Sequence, residues 1–216
     1  MKRMVIFANG NLSNFSQAKK IVSQKDVIVC ADGGVKHVIK LGLIPQVIIG
    51  DGDSISKDLK KKLLKNKINW IKYPVKKDKT DFELVVDYVL KNKYQELIIF
   101  GLLGDRLDHL LANIFLLAKI FSQNDLLKIK IIEGKQEAFF VNKEIELKGE
   151  IGDIISLITL TDNFQNISTE GLEYKLSNES LFFGSTRGVS NIMLGKSAKI
   201  TIKKGTALII HYNLGR

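Results

Sequence analysis

The sequence predicts an α/β fold in which a doubly wound, mostly parallel sheet is followed by an antiparallel β-sandwich. Three observations predict it. Through residue 121, short apolar runs alternate with amphipathic stretches in a strand-loop-helix repeat, the pattern that parallel strands need for their crossovers. Beyond residue 124 the helical signals stop and short strand-like runs take over, two of them alternating cleanly: Glu144-Ile145-Glu146-Leu147-Lys148 and Lys199-Ile200-Thr201-Ile202-Lys203. Glycines at 134, 149, 152, 171, 184, 188, 195 and 205 punctuate this second half, as turns do in a sandwich. The change of pattern places a boundary near 124–128 and predicts domains over 1–126 and 127–216.

The elements follow in order. Val5–Ala8 is an apolar run ended by Asn9-Gly10, a strand and a turn. Ser16–Ser23 reads as a helix. Val27–Ala31 is a buried-type strand running into Asp32-Gly33-Gly34, and a helical stretch, Val35–Leu41, stops at Gly42. Pro45 separates it from the strand Val47–Ile49, which ends in the turn Gly50-Asp51-Gly52-Asp53-Ser54. Ser56 N-caps a lysine-rich helix to Asn66. Asn69–Tyr73 is a fourth strand. After Pro74 and a charged loop, Thr80-Asp81-Phe82-Glu83 has capping-box spacing and opens the helix through Leu90. Leu97–Phe100 is a fifth strand, followed by Gly101-Leu102-Leu103-Gly104 and a helix over Asp108–Phe121. The first half is thus Rossmann-like in its alternation. In the second half the strand-like runs are 129–132, 138–141, 145–147, 154–160, 181–183, 199–202 and 208–212.

Bulk composition sets the function classes. The 216 residues are 45% hydrophobic and 26% charged, enough apolar material for a real core. The N-terminus begins like a signal peptide, but Asn9-Gly10-Asn11 ends the apolar run too early, and no stretch is long enough to span a bilayer. A cytoplasmic protein with no membrane partner is the expectation. The single cysteine, Cys30, lies in an apolar run without partners at metal-ligand spacing and reads as a small buried hydrophobe. The formal net charge of +10 comes largely from scattered lysines, such as Lys57, Lys60, Lys61, Lys62, Lys65 and Lys67. Arginine is scarce and no basic patch is interleaved with aromatics, so no nucleic-acid partner is expected; the surplus favours anionic substrates instead.

In open α/β sheets, ligands bind at the carboxyl ends of the strands. Every unusual polar cluster of the first half falls there: Asn9-Gly10, Asp32-Gly33-Gly34, Asp51-Gly52-Asp53-Ser54, Lys77-Asp78-Lys79-Thr80-Asp81, and the stretch from Gly101 to Asn113. Asp51 and Asp53, two carboxylates at the end of an apolar strand, are candidate ligands of Mg²⁺, a hard cation that shares its shell with substrate phosphates. Asp78 and Asp81 add a second pair, although Asp81 also suits a helix N-terminus by its charge alone. Lys77 and Lys79 either meet phosphates or form a solvated loop. Gly33 and Gly34 allow close backbone approach and open a helix. Arg106, His109 and Asn113, spaced by three and four, share one helix face; Asp108 either caps that helix or orients Arg106. His109 is either a phosphate donor or a structural group, and Asn113 on a helix face is commonly structural. The chain has neither Gly-x-Gly-x-x-Gly nor a Walker Gly-Lys-Ser/Thr, so neither a standard dinucleotide site nor a P-loop is supported. In the second half, Ser185–Asn191 is either a hairpin loop or a site, and Tyr174 either a core aromatic or a stacking platform.

Taken together and in order, Asp32-Gly33-Gly34, Gly50–Ser54, Lys77–Glu83, Arg106-Leu107-Asp108-His109 with Asn113, and Ser190-Asn191 resemble the thiamine pyrophosphokinase family over essentially the whole chain. The resemblance implies an α/β nucleotide-binding domain followed by a β-sandwich, acting as a homodimer. It implies transfer of a pyrophosphoryl group from ATP to the hydroxyl of thiamine, yielding thiamine diphosphate and AMP. Asp51, Asp53, Asp78 and Asp81 would then bind Mg²⁺ or orient the hydroxyl, with Asp81 or Asp78 as any general base. Asp32, Gly33, Gly34, Lys77, Arg106, Asp108, His109 and Asn113 would hold ATP, and Tyr174, Ser190 and Asn191 would hold thiamine. The chain departs from the family pattern at Gly52, where a bulky apolar residue is usual, at Asp105, where a glycine is expected, and at Ile192, where an acidic or polar residue is common. A diphosphokinase for another alcohol, such as a pterin, and a non-catalytic nucleotide-binding module are the alternatives that the residues leave open.

Overall fold

A computed structural model describes residues 2–64, 68–74, 76, 78–124, 126–162 and 164–215. The chain divides into two compact units, Met1–Leu117 with Leu126–Gly134, and Ala118–Asp125 with Lys135–Arg216.

The first unit holds strands β1 (Arg3–Phe7), β2 (Val27–Ala31), β3 (Val47–Gly50), β4 (Asn69–Lys72), β5 (Glu96–Phe100) and β6 (Lys128–Glu133). They pair in parallel in the order β6-β5-β1-β2-β3-β4. Helices α1 (Phe15–Ile21), α2 (Val35–Lys40), α3 (Lys57–Leu64), α4 (Asp81–Lys91) and α5 (Leu107–Ser122) make the connections. Strands β1, β2, β3 and β5 are apolar at nearly every position because both faces are covered. One face presents Val5, Phe7, Ile28, Cys30, Ile48 and Phe100 to Ala18, Val35, Val38 and Leu63 of the helices. On the other face Met4, Ile6, Val29, Ile49 and Leu97 are buried, and α4 packs on β2 and β3 with its own buried Phe82, Val85, Val86 and Val89. Thr80 caps α4 by accepting a hydrogen bond from the Glu83 amide at 3.1 Å, as the capping-box spacing predicts.

Chain order reverses between β1 and β5: β1 leads outward to β2, while β5 leads to β6 on the opposite side. A crevice at the carboxyl ends of such a pair is the expected ligand position. Cys30 is buried, and burial pushes its thiol well above the ordinary range, which leaves no reactive thiolate.

The second unit contains two antiparallel sheets. One runs β12-β9-β14-β7, from β7 (Gln136–Val141), β9 (Ile154–Thr159), β12 (Asn191–Ile192) and β14 (Ala207–Tyr212). The other runs β11-β10-β13-β8, from β8 (Glu144–Lys148), β10 (Phe164–Glu170), β11 (Glu179–Leu181) and β13 (Ser197–Lys204). Alternate residues of both sheets, among them Val141, Leu147, Ile155, Ile167, Ile200 and Ile209, share one core, which makes the pair a sandwich.

The fold class expected from the sequence is therefore observed, with two differences. Strand β6, expected to open the second half, pairs in parallel with β5 through Lys128–Ile132 and belongs to the first unit. Its turn signals resemble those of the strands after it, and pairing partner is not a local property. Strand β10 carried no clear signal, because a register shift between Phe164 and Ile167, with Asn166 at φ 57°, interrupts its alternation. The predicted end of the lysine-rich helix, at Lys65 and Asn66, and Lys67 lie outside the described residues.

Buried Asp153 joins the end of the second unit to its middle. Its carboxylate accepts from Glu150 N at 2.9 Å and Leu214 N at 3.0 Å and lies 2.9 Å from His211 Nε2. Burial acts to raise its pKa, yet these partners outweigh it and hold the group below the ordinary value. The sandwich core makes a direct prediction. Ile200→Ala should destabilise the fold by about 2–5 kcal/mol, read from chemical unfolding, because Ile200 is fully buried between the sheets.

Candidate active site

Five loops of the first unit, each following a strand's carboxyl end, line one cleft of about 540 Å³. Ala8, Asn9 and Gly10 follow β1, and Asp32 follows β2. Asp53 and Ser54 follow β3. Thr80, Asp81 and Phe82 stand where the chain from β4 enters α4. Residues 101–106, apart from Leu103, come from the loop after β5, and His109 and Asn113 come from α5.

Gly33 and Gly34 are not part of the lining; they pack closely against the end of β1. Gly34 lies so close to β1 that a Cβ there would sit 2.0 Å from Phe7 O; at Gly33 it would sit 2.4 Å from Asn9 Oδ1. The glycines thus act by close approach. The helix they lead into, α2, has only six residues and a correspondingly small dipole. Across the reversal point, Gly10 N–H donates to Gly101 O at 2.8 Å and Asn11 N–H to Leu103 O at 2.6 Å, which fixes the two loops to each other.

Asp32 organises the acidic side. It is buried and holds a positive φ of 39°, a conformation uncommon outside glycine and typical of functional turns. Its Oδ1 accepts from Gly52 N at 2.8 Å and its Oδ2 from Ser54 N at 3.3 Å. Within the turn, Asp51 Oδ1 accepts from Asp53 N at 2.9 Å and Asp53 Oδ1 from Ser54 Oγ at 3.1 Å. One carboxylate oxygen from each of Asp32, Asp51 and Asp53 lies within 4.8 Å of the others. Ligands on opposite sides of Mg²⁺ stand about 4.2 Å apart, given bonds of about 2.1 Å, so this all-oxygen set fits that ion with a small closure.

The other wall is α5. Arg106, His109 and Asn113 all line the cleft, as their spacing predicts, with Asn113 buried and the other two exposed. Arg106 Nε donates to Asp108 Oδ1 at 3.1 Å and its Nη2 to Asp108 Oδ2, a two-point pair. That hydrogen bonding holds the Asp108 carboxyl down at about 2. Asp108 orients Arg106 and is not itself part of the lining.

The structure brings together most, not all, of the residues singled out from sequence. Asp81 lies on the cleft wall at the first turn of α4; Asp78 is exposed and outside the lining. Lys77 lies outside the described residues. Lys79 turns onto α4, donating to Asp87 Oδ2 at 2.7 Å. Asp32, assigned from sequence to nucleotide, lines the cleft and also stands in the acidic trio. Sequence reasoning passed over Lys36 and His37. Lys36 Nζ donates to Asn9 O at 3.0 Å and Asn9 Oδ1 at 2.8 Å, and the buried His37 puts Nε2 2.8 Å from Gly10 O. Both reach across 27 positions of sequence, a pairing that no local spacing signals.

The second unit has its own cleft, about 390 Å³, lined by Tyr174, Lys175, Arg187, Gly188 and Asn191 over an apolar floor that includes Ile155 and Leu172. Tyr174 is 64% exposed, which rules out the core reading of that ring. Asn191 Oδ1 accepts from Tyr174 N at 2.9 Å and Nδ2 donates to Tyr174 O at 2.7 Å, so the amide grips the backbone beneath the ring. Ser190, at φ 60°, donates its N–H to Ser156 Oγ at 3.0 Å and is not part of the lining.

The sequence matches the thiamin pyrophosphokinase catalytic domain over residues 18–131 and the thiamin pyrophosphokinase vitamin B1 binding domain over residues 142–207. The chain belongs to the thiamin pyrophosphokinase family. It is 28% identical to the thiamine pyrophosphokinase of Bacillus subtilis over 212 residues, covering 97% of this chain and 98% of that protein. It is also 28% identical to thiamine pyrophosphokinase 3 of Oryza sativa subsp. japonica, covering 95% of this chain and 84% of that protein. Among solved structures, that of the Bacillus subtilis thiamine pyrophosphokinase superposes with a TM-score of 0.88 at 25% identity, covering 98% of this chain and 99% of the other. Yeast thiamin pyrophosphokinase, at 18% identity, shares the fold with a TM-score of 0.79, covering 98% of this chain and 86% of the other. As a thiamin pyrophosphokinase, the chain carries both matched domains in the order that its sequence motifs imply.

Burial lowers the pKa of His37 from its ordinary 6.5, with the charge of Lys36 adding to the effect against the opposing bond to Gly10 O. The unfolded chain therefore binds this proton more readily than the folded one. Stability is full above pH 6.5 and declines as pH falls from there through the depressed folded value. Thermal unfolding between about pH 7.5 and about pH 5 should show that decline, and His37→Gln, which keeps a donor for Gly10 O, should flatten it.

Proposed function

We propose that this thiamine pyrophosphokinase works through a Mg²⁺-dependent site in the cleft of the first unit, moving the pyrophosphoryl group of ATP to the hydroxyl of thiamine. The observation that carries this reading is the convergence of five strand-end loops on one cleft, whose lining holds Arg106 and His109 together with Asp32 and Asp53, two of the three clustered carboxylates; the third, Asp51, stands next to that lining in sequence. Carboxylates and cationic or hydrogen-bond-donating groups in one cleft suit a polyphosphate held with a cation.

In this reading Asp51 and Asp53 hold Mg²⁺ and Asp32 sets their turn. When bound there, the ion would supply positive charge to offset that of the phosphates. Arg106 exchanges Asp108 for phosphate oxygens; the pair it leaves is exposed, and such pairs stabilise weakly. His109 donates to a phosphate oxygen, while Gly33 and Gly34 let the chain after β2 pack closely on the end of β1. The thiamine hydroxyl oxygen bonds to the β-phosphorus as the bond from that phosphorus to the α-β bridging oxygen breaks. AMP leaves with the bridging oxygen, and Asp81 takes the hydroxyl proton. Little covalent chemistry falls to the protein, so positioning dominates. Asp78 and Lys77, on the loop before α4, are assigned to the phosphates or the metal by motif alone.

Tyr174 offers an exposed ring for stacking on the cationic thiazolium or the pyrimidine of thiamine. Asn191 positions that ring through its backbone, and Ser190 shapes the turn beside it. We also place the working form in the cytoplasm as a homodimer. Phe182, Phe183 and Leu194 of the second unit are at least 58% exposed, as side chains of an association surface are in a separated subunit.

Thiamine and Mg²⁺-ATP incubated with the full chain should give thiamine diphosphate and AMP in equal amounts. Asp53→Asn should lower turnover by roughly a hundredfold or more with the fold intact. Release of ADP in place of AMP would overturn the pyrophosphoryl assignment.

A further inference from the structure

Gly52 is buried between Asp32 and Trp70. On one side its N–H donates to Asp32 Oδ1 at 2.8 Å. On the other, the ring of Trp70 fills the space a side chain would take: a Cβ at position 52 would lie 2.5 Å from Trp70 Cζ2 and 3.1 Å from Cη2. The residue also holds φ +81°, a backbone state that suits glycine. Trp70 is itself fixed. It pairs in register with Ile48 on β3, packs against the sheet's buried cluster, and directs Nε1–H at Gly50 O across 3.4 Å. Lys72 Nζ stands 5.0 Å from the centre of its ring, a cation–π distance.

The turn is thus gripped from both sides, by a buried carboxylate and by an indole. The residues flanking Gly52 are Asp51 and Asp53 themselves. We propose that Trp70 is the positioning residue of the acidic turn, standing in the volume that a side chain at position 52 would otherwise occupy and so setting where the two carboxylates point. Gly52 and Trp70 are then one unit: the glycine makes room for the ring, and the ring supplies the packing the glycine lacks. The functional part of this inference rests on the reading of Asp51 and Asp53 as metal ligands; the packing part does not.

The test is a double-mutant cycle on the full chain with Gly52→Ala, Trp70→Leu and their combination, alongside Trp70→Phe. Two readouts are taken: thermal unfolding by circular dichroism, and binding of Mn²⁺ alone, followed by loss of its free-ion paramagnetic resonance signal. Each single change should weaken Mn²⁺ binding by roughly tenfold. Trp70→Phe should recover most of that loss. In the combination the losses should fall short of the product of the singles in both readouts, because removing the ring makes room for the methyl group. Trp70 is the single tryptophan of the chain, so Gly52→Ala should also shift the intrinsic emission. Independent effects in the unfolding cycle would overturn the packing claim. Wild-type Mn²⁺ binding in a folded Trp70→Leu variant would overturn the positioning claim. A wild-type chain that binds no Mn²⁺, together with coupled unfolding, would uphold the packing and overturn the metal reading and the positioning role built on it.

Discussion

The carboxylate of Asp32 is the interaction on which the candidate site depends. It is buried at the end of β2 and bonds the amides of Gly52 and Ser54 after β3, so one side chain fixes the geometry between two strand ends. Hydrogen bonds to an ionised carboxylate contribute about 1.5–3 kcal/mol each, and a buried carboxylate without them would be costly. The same bonds that satisfy Asp32 therefore hold Asp51 and Asp53 in place, and close packing of Gly33 and Gly34 against the β1 end holds Asp32. Stability and site geometry are carried by one set of contacts.

The parallel sheet explains why so much chemistry gathers there. Parallel strands need crossovers, which put every helix-entering loop at the same edge, and reversal of chain order between β1 and β5 opens that edge into a crevice. The loops then need only short polar side chains to face one another. The sandwich solves a different problem. Its cleft is framed by turns whose backbone is fixed by side-chain amides and hydroxyls, with Asn191 gripping Tyr174 and Thr169 Oγ1 accepting from Leu176 N at 2.8 Å.

Much of this was legible in the sequence because it is written locally. Apolar runs gave β1 to β5, the Thr80-to-Glu83 spacing gave the start of α4, and the three-four spacing of Arg106, His109 and Asn113 gave one wall of the cleft. What was not legible involves partners distant in sequence. The pairing of β6 with β5 carries no local mark, and a bulge erased the alternation of β10. The role of Asp32 in the acidic trio depends on a turn 20 residues away. Asn191 lines the second cleft, and its bonds to the Tyr174 backbone, 17 residues away, carry no local mark. Gly52 reads as a gap in its motif, and it is Trp70, 18 residues on in the neighbouring strand, that fills the space.

The most direct test of the central claim is a crystal structure of the chain with Mn²⁺ and a non-hydrolysable ATP analogue, read by anomalous scattering of the metal. The account predicts a peak at bonding distance from Asp51 and Asp53, on the side of the turn that Asp32 fixes, with the phosphates between it and Arg106. A peak held by other residues, or a nucleotide bound away from the cleft, would contradict it.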